Sequence, residues 1–114
     1  MISGPRLREI ALALPDASEA PHFDRTAFRT PRRIFCTLPA DGLTANLMLE
    51  PDVQMAVCEA FPTAFSPVPG GWGRMGATTV DLGVVSEANL KAALLEAHAR
   101  ASEPPPKRAR KARR

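Results

Sequence analysis

The dipeptide Asp41-Gly42 lies between two apolar runs, residues 34–38 and 43–49. Asp-Gly in that setting signals a tight hairpin, because glycine accepts the positive φ that such turns require. Strands joined so closely pair only antiparallel, which removes every crossover-built parallel sheet from this part of the chain. In the second run Leu43, Ala45, Leu47 and Leu49 alternate with Thr44, Asn46 and Met48, the period-two pattern of a half-buried strand. Residues 26–30 form a strand-like segment ahead of the hairpin, separated from it by Pro31-Arg32-Arg33. A further strand is expected over 78–84, and another, interrupted by prolines, over 65–68.

Three helical patterns frame these strands. Over 5–14, Leu7, Ile10, Ala11 and Leu14 recur at the spacing of one buried face, with Ser3 as N-cap, Pro5 in the first turn and Pro15 as the stop. Over 51–61, Val53, Val57, Ala60 and Phe61 share a face between Pro51 and Pro62. Over 86–101, Ser86 caps a stripe of Leu90, Ala93, Leu94 and Ala97, with Val85 placed to pack on Leu90. The expected architecture is therefore two-layer α+β, an antiparallel sheet of four to five strands with helices on one face, in the order α-β-β-β-α-β-β-α.

Charge divides the chain of 114 residues unequally. Residues 103–114 hold Glu103 and six bases, a net +5, which leaves −2 of the total +3 for residues 1–102. We expect 1–102 to be one folded domain and 103–114 a disordered tail, first proline-rich and then basic. Pro104-Pro105-Pro106 favours an extended spacer, and the bases beyond it have no apolar partners to offset an ordering cost. The high isoelectric point thus belongs to the tail, which excludes a uniformly basic nucleic-acid-binding body. No run approaches the ~18 apolar residues of a membrane span, and no signal-peptide pattern opens the chain. Cys36 and Cys58 form no C-x-x-C pair and read as small hydrophobes in a reducing, cytoplasmic compartment.

Several short blocks occur in an order that resembles the MmcQ/YjbR family. They are Pro21-His22-Phe23-Asp24-Arg25-Thr26-Ala27-Phe28-Arg29, Arg33-Ile34-Phe35-Cys36-Thr37-Leu38, Pro67-Val68-Pro69-Gly70-Gly71-Trp72-Gly73 and Thr79-Val80-Asp81-Leu82. The resemblance covers about residues 5–101 and leaves out the tail. It implies a small bacterial, cytoplasmic protein with a two-layer fold related to secretion chaperones, often described as a double-wing DNA-binding fold. The DNA-binding label rests on fold analogy. Many members carry a tryptophan three residues before the valine of the late strand, where this chain has Ala77 before Val80. No role of that tryptophan carries over, unless Trp72 replaces it from the loop.

The candidate binding residues fall into three groups. Arg25 and Arg29 share a strand face, and Arg32 and Arg33 occupy a hairpin tip, a wing suited to clamping phosphates or entering a groove. The alternative is a solvated edge face whose arginines pair with Asp24, Glu19 or Asp41. Trp72 and Arg74 lie in 62–76, read as a long irregular loop, where an indole beside a guanidinium can stack a flat base. The alternative there is that Trp72 and Phe65 plug the open end of the sheet. Lys107, Arg108, Arg110, Lys111, Arg113 and Arg114 form the third group, able to displace counterions from a polyanion without reading sequence.

The remaining motifs carry little chemistry. Gly71-Trp72-Gly73-Arg74-Met75-Gly76 fits G-x-G-x-x-G, but strand-like text follows it where a dinucleotide site needs a helix. His22 is expected to pack in a turn and His98 to sit at the rim of the last helix. Neither has a partner at metal or triad spacing. Glu50 and Asp52 flank a helix start, where carboxylates favour the positive end of the dipole. No catalytic residue, metal or cofactor is assigned. The leading expectation is a non-enzymatic protein that binds DNA, with RNA as the other polyanion, mainly through backbone phosphates and with no membrane partner. The alternative is a small-molecule- or peptide-binding, chaperone-like module, using a groove between the sheet and the Pro/Gly-rich stretch.

Overall fold

The computed structural model describes residues 1–104. From residue 105 onward, the expected disordered tail lies outside the described residues. The elements are α1 (Gly4–Leu12), β1 (Ser18–His22), β2 (Arg25–Arg29), β3 (Ile34–Pro39), β4 (Thr44–Met48), α2 (Pro51–Ala60), β5 (Phe65–Pro67), α3 (Gly71–Arg74), β6 (Ala77–Asp81) and α4 (Glu87–Ser102). Six strands form one antiparallel sheet in the order β1-β2-β3-β4-β6-β5.

Register decides which side chains meet. Phe28 lies opposite Cys36, Cys36 opposite Leu47, and Ala45 and Phe65 both flank Val80. These residues share one face, and all are buried. A bulge near Phe28 and Arg29 adds a residue to β3, and both Phe35 and Cys36 become fully buried core members. Leu7, Ile10 and Ala11 of α1 and Leu90, Ala93, Leu94 and Ala97 of α4 close the core from above. Ser3 and Ser86 cap these helices as expected, each hydroxyl accepting from the backbone N–H three residues on.

The opposite sheet face carries Arg25, Arg29, Thr37, Asn46 and Thr79, with the Thr79 hydroxyl donating to Asn46 Oδ1 at 3.0 Å. Phe28 points inward as expected, and Ala27 on the outer face is nonetheless covered. The two edge strands, β1 and β5, contain Pro21 and Pro67, which lack the N–H a further strand would need.

The structure corrects several expectations. The sheet has a strand more than expected, β1, which lies along the outer edge. The segment 62–76 is not wholly irregular: β5 lies within the strand expected over 65–68, and the short helix α3, which was not expected, follows it. Helix α1 stops at Leu12, because a residue preceding proline disfavours the α region and Leu14 precedes Pro15. In α2 the buried residue is Gln54, while Ala60 and Phe61 are exposed. Leu43 lies outside β4 and is exposed. His98 is not at a rim: it is buried, its ring edge-on to Phe35 at 5.4 Å, and Nε2 donates to the Pro15 carbonyl at 2.8 Å. No helix among the described residues is long and apolar enough to cross a membrane.

Candidate nucleic-acid interface

Arginine partners sort the body's charges by position. Arg6 pairs with Glu9 and Glu87, Arg8 with Glu19, Lys91 with Glu87, and Arg100 with Glu50 at 3.4 Å. Arg25, Arg29, Arg32, Arg33 and Arg74 have no carboxylate partner among the described residues. The alternative reading, in which Glu19 neutralises the wing, fails because Glu19 reaches across to Arg8 on α1.

The β2–β3 turn is built by one hydroxyl. Thr30 is buried, and its Oγ1 accepts from the backbone N–H groups of Arg32 and Arg33 at 3.1 Å each. The same hydroxyl donates to the Ala101 carbonyl at 2.9 Å, which ties the turn to the last turn of α4. Arg32 and Arg33 are thereby presented at the tip, exposed as the sequence suggested. Arg33 Nη2 approaches the Glu103 carbonyl at 3.4 Å, so the chain leaves the described region beside this wing.

Trp72 comes to the same end of the sheet. It is 72% exposed on α3, so it does not plug the sheet, whereas Phe65 is buried as that alternative required. Together Arg33, Ile34, Met48, Trp72, Met75 and Arg100 border a hollow of about 160 Å³. Arg74 folds back near Gly71, where a Cβ would lie 3.7 Å from its Nη2. The position of α3 is fixed from three sides. Gln54 Nε2 donates to the carbonyls of Gly73 and Ala77 at 2.8 and 3.0 Å, and Arg100 Nη1 donates to the Leu49 and Met75 carbonyls. A Cβ at Gly73 would fall 1.8 Å from the Val68 oxygen, so α3 packs backbone to backbone there. Of the glycines of the G-x-G-x-x-G match, Gly73 makes this contact and Gly76, at φ 111°, makes a similar one with the Leu49 carbonyl, and the strand β6 follows them.

The structure therefore unites Arg33 and Trp72, and sets Arg32 on the same turn and Arg74 on the same short helix. It leaves Arg25 at the far end of β2, where Nε donates to the Thr37 hydroxyl at 2.9 Å. Arg29 lies at the near end, its Nε donating to the Thr30 carbonyl at 3.2 Å. Sequence reasoning missed Thr30, Met48, Met75 and Arg100. Thr30 had a recognisable signal, a threonine opening a turn ahead of proline. The others had none, since only the sheet register and the end of α4 bring them here. The six tail bases, Lys107, Arg108, Arg110, Lys111, Arg113 and Arg114, lie outside the described residues.

No other chemistry gathers nearby. Burial pushes the Cys36 thiol up to about 12, with the Arg25 guanidinium pulling weakly the other way, as befits a core thiol. Both cysteines are free. Among the described residues, no group of three His, Cys, Asp or Glu is placed to hold a metal. At the other end of β3, β4 and β6, a wider cleft of about 850 Å³ opens between the N-terminal segment and β2. Ile2, Phe28, Leu38 and Leu82 line it, and the Arg8–Glu19 pair borders it.

The family model for YjbR matches residues 12–100. The chain belongs to the YjbR family. The match takes in the wing arginines, Trp72, Arg74 and Arg100 and ends before the tail. Among solved structures, the fold is similar to that of the Deinococcus radiodurans protein DR2400, described as a DUF419 domain. The TM-score is 0.77 at 20% sequence identity, over 99% of this chain and 88% of that one, a likeness of fold alone. No curated protein matches the chain.

Proposed function

We propose that this YjbR-family protein binds nucleic acid, DNA in the first instance, by phosphate contact and without catalysis. Arg29, Arg32, Arg33 and Arg74 supply the body's contacts, and the six tail bases supply most of the affinity. The observation that carries this reading is the sorting of charges. The basic groups of α1 and α4 are matched by carboxylates, while the wing and α3 arginines are left available at the end where the chain leads into its basic tail. A guanidinium held by backbone carbonyls and hydroxyls keeps its full charge for a phosphate.

The test is duplex binding against salt. Each neutralised phosphate contributes a slope of about 0.9 in log affinity per decade of salt. Changing the six tail bases to Gln should lower the slope by up to about five, and Arg32→Ala with Arg33→Ala by about two. Failure of the full chain to bind either duplex or single strand at low salt refutes the reading. That result would favour a second one, in which the cleft of about 850 Å³ at the opposite end holds a small molecule. Its size falls within the roughly 300–1,000 Å³ of ligand pockets.

A further inference from the structure

The hollow at Trp72 has properties that phosphate contact does not use. Trp72 is the sole tryptophan, and it stands 72% exposed beside Met75, itself 67% exposed. Both side chains border the same hollow, so their apolar surface adjoins there rather than being scattered. The surface does not arise from looseness, because Gln54, Arg100 and the Gly73 contact with Val68 hold the short helix in place. The space enclosed is about 160 Å³. That is well below the roughly 300 Å³ at which pockets for drug-sized ligands begin, and suits one planar ring system. Arg33, which has no carboxylate partner among the described residues, borders the hollow with the indole, and Arg74, likewise without one, lies outside the hollow on the same short helix, two residues from Trp72. Arg100, the other base at the rim, is matched by Glu50 and serves to position the backbone of α3.

We infer that Trp72 stacks on one unpaired base of a single-stranded nucleic acid, with the adjoining backbone phosphates against Arg33 and Arg74. In a duplex both faces of every base are occupied by its neighbours, so the indole has nothing to stack on unless a base is extruded. A single strand offers free π-faces of every base type, and a groove with one aromatic and flanking cations meets it without reading sequence. Charge complementarity and a one-ring hollow together select this occupant over a peptide, whose apolar side chains would leave both guanidinia unmatched. The inference rests on the nucleic-acid reading above and specifies which form of nucleic acid the body prefers.

The experiment uses the full chain and the intrinsic fluorescence of Trp72. A short oligodeoxythymidylate and a duplex with the same number of phosphates are titrated at matched salt, with adenosine monophosphate as a third ligand. Quenching by the single strand, tighter binding of it than of the duplex, and little effect of the mononucleotide are expected. Trp72→Ala, followed like Trp72→Phe by the anisotropy of a dye-labelled oligonucleotide because neither variant has a tryptophan, should weaken single-strand binding about 5- to 140-fold, the fold-change equivalent of ~1–3 kcal/mol of base stacking. Trp72→Phe, which keeps an aromatic face, should retain most of that affinity and guards against a misfolded alanine variant. Equal affinity for both forms, with Trp72→Ala indistinguishable from wild type, overturns the stacking inference and leaves phosphate binding intact. Saturation by the mononucleotide at the same concentrations overturns the assignment to a strand. Absence of binding by either polymer at low salt refutes the underlying reading as well.

Discussion

Gln54 is the polar side chain on which the placement of Trp72 depends. It is the buried residue of α2, and its amide donates to the Gly73 and Ala77 carbonyls. Each carbonyl also accepts a backbone N–H, from Gly76 at 3.0 Å and from Val68 at 2.9 Å respectively. Gln54→Ala therefore removes two hydrogen bonds without orphaning either acceptor. The cost is the net value of a bond, ~0.5–1.5 kcal/mol, taken twice, or about 1–3 kcal/mol. For a domain of this size the melting temperature should fall by about 4–8 °C for each kcal/mol. Denaturant unfolding gives the free energy directly, and Trp72 anisotropy should drop as α3 loosens. Gln54→Glu keeps the shape but turns acceptor oxygens toward two carbonyls, so at neutral pH it should cost more than alanine. Burial against those dipoles raises the new carboxyl's folded pKa above its unfolded value. Its stability is then best below the ordinary carboxylate range, where both states are protonated, and is lost as pH rises through the folded pKa. A loss below ~0.5 kcal/mol for Gln54→Ala, or an unchanged ranking of the two variants between pH 4 and 7, would refute this account of how α3 is held.

Three further outcomes follow from the packing. Gly73→Ala gains helix propensity, yet its Cβ would sit 1.8 Å from the Val68 oxygen, so backbone must shift. A net loss of about 1–3 kcal/mol in denaturant unfolding is expected, and a neutral or stabilising result would refute the contact. The Cys36 thiol, pushed from its usual 9.0 up to about 12 by burial, keeps its proton in the folded state where the unfolded chain loses it. Stability should therefore fall as pH rises from 9.0 toward 12, and the fall should be smaller in Cys36→Ala. In the native protein a thiol reagent should reach Cys58, which is half-buried, and spare Cys36. Equal labelling of both would contradict the burial.

The parts of the fold that could be read from the sequence are those with a strong apolar period. Strand β4 and helix α4 alternate or recur so regularly that their buried faces, Ala45-Leu47-Leu49 and Leu90-Ala93-Leu94-Ala97, follow from spacing alone. Strand β1 was invisible for the converse reason. Ser18-Glu19-Ala20-Pro21-His22 contains no β-branched side chain and no Phe, Tyr or Trp, four of its five residues are exposed, and pairing with β2 is all that makes it a strand. Helix α2 misled differently. Val53, Val57, Ala60 and Phe61 share a face, but the chain turns Gln54 inward, where its amide satisfies carbonyls that no apolar side chain could. Hydrophobic periodicity carries no information about such a polar contact, since its partners lie 19 and 23 residues away in sequence.

The candidate site shows the same divide between what is local and what depends on partners. That Arg32 and Arg33 stand at a hairpin tip follows from Pro31 and the flanking strands, and the structure agrees. Whether those guanidinia are available does not, because availability is decided by carboxylates distant in sequence. Arg8 lies eleven residues from Glu19 and takes it, and Arg6 takes Glu87 from 81 residues away. Summed over residues 1–102 the charge is a faintly negative −2, which taken alone argues against a polyanion partner. Pairing leaves that sum unchanged but decides where the free charges lie. Glu9, Glu19, Glu50 and Glu87 are engaged by the bases of α1 and α4, leaving the cationic tip with no carboxylate in direct contact among the described residues. The field a phosphate meets at short range is set by that local surplus, because beyond the ~8 Å screening length at physiological salt the remaining acids are largely masked.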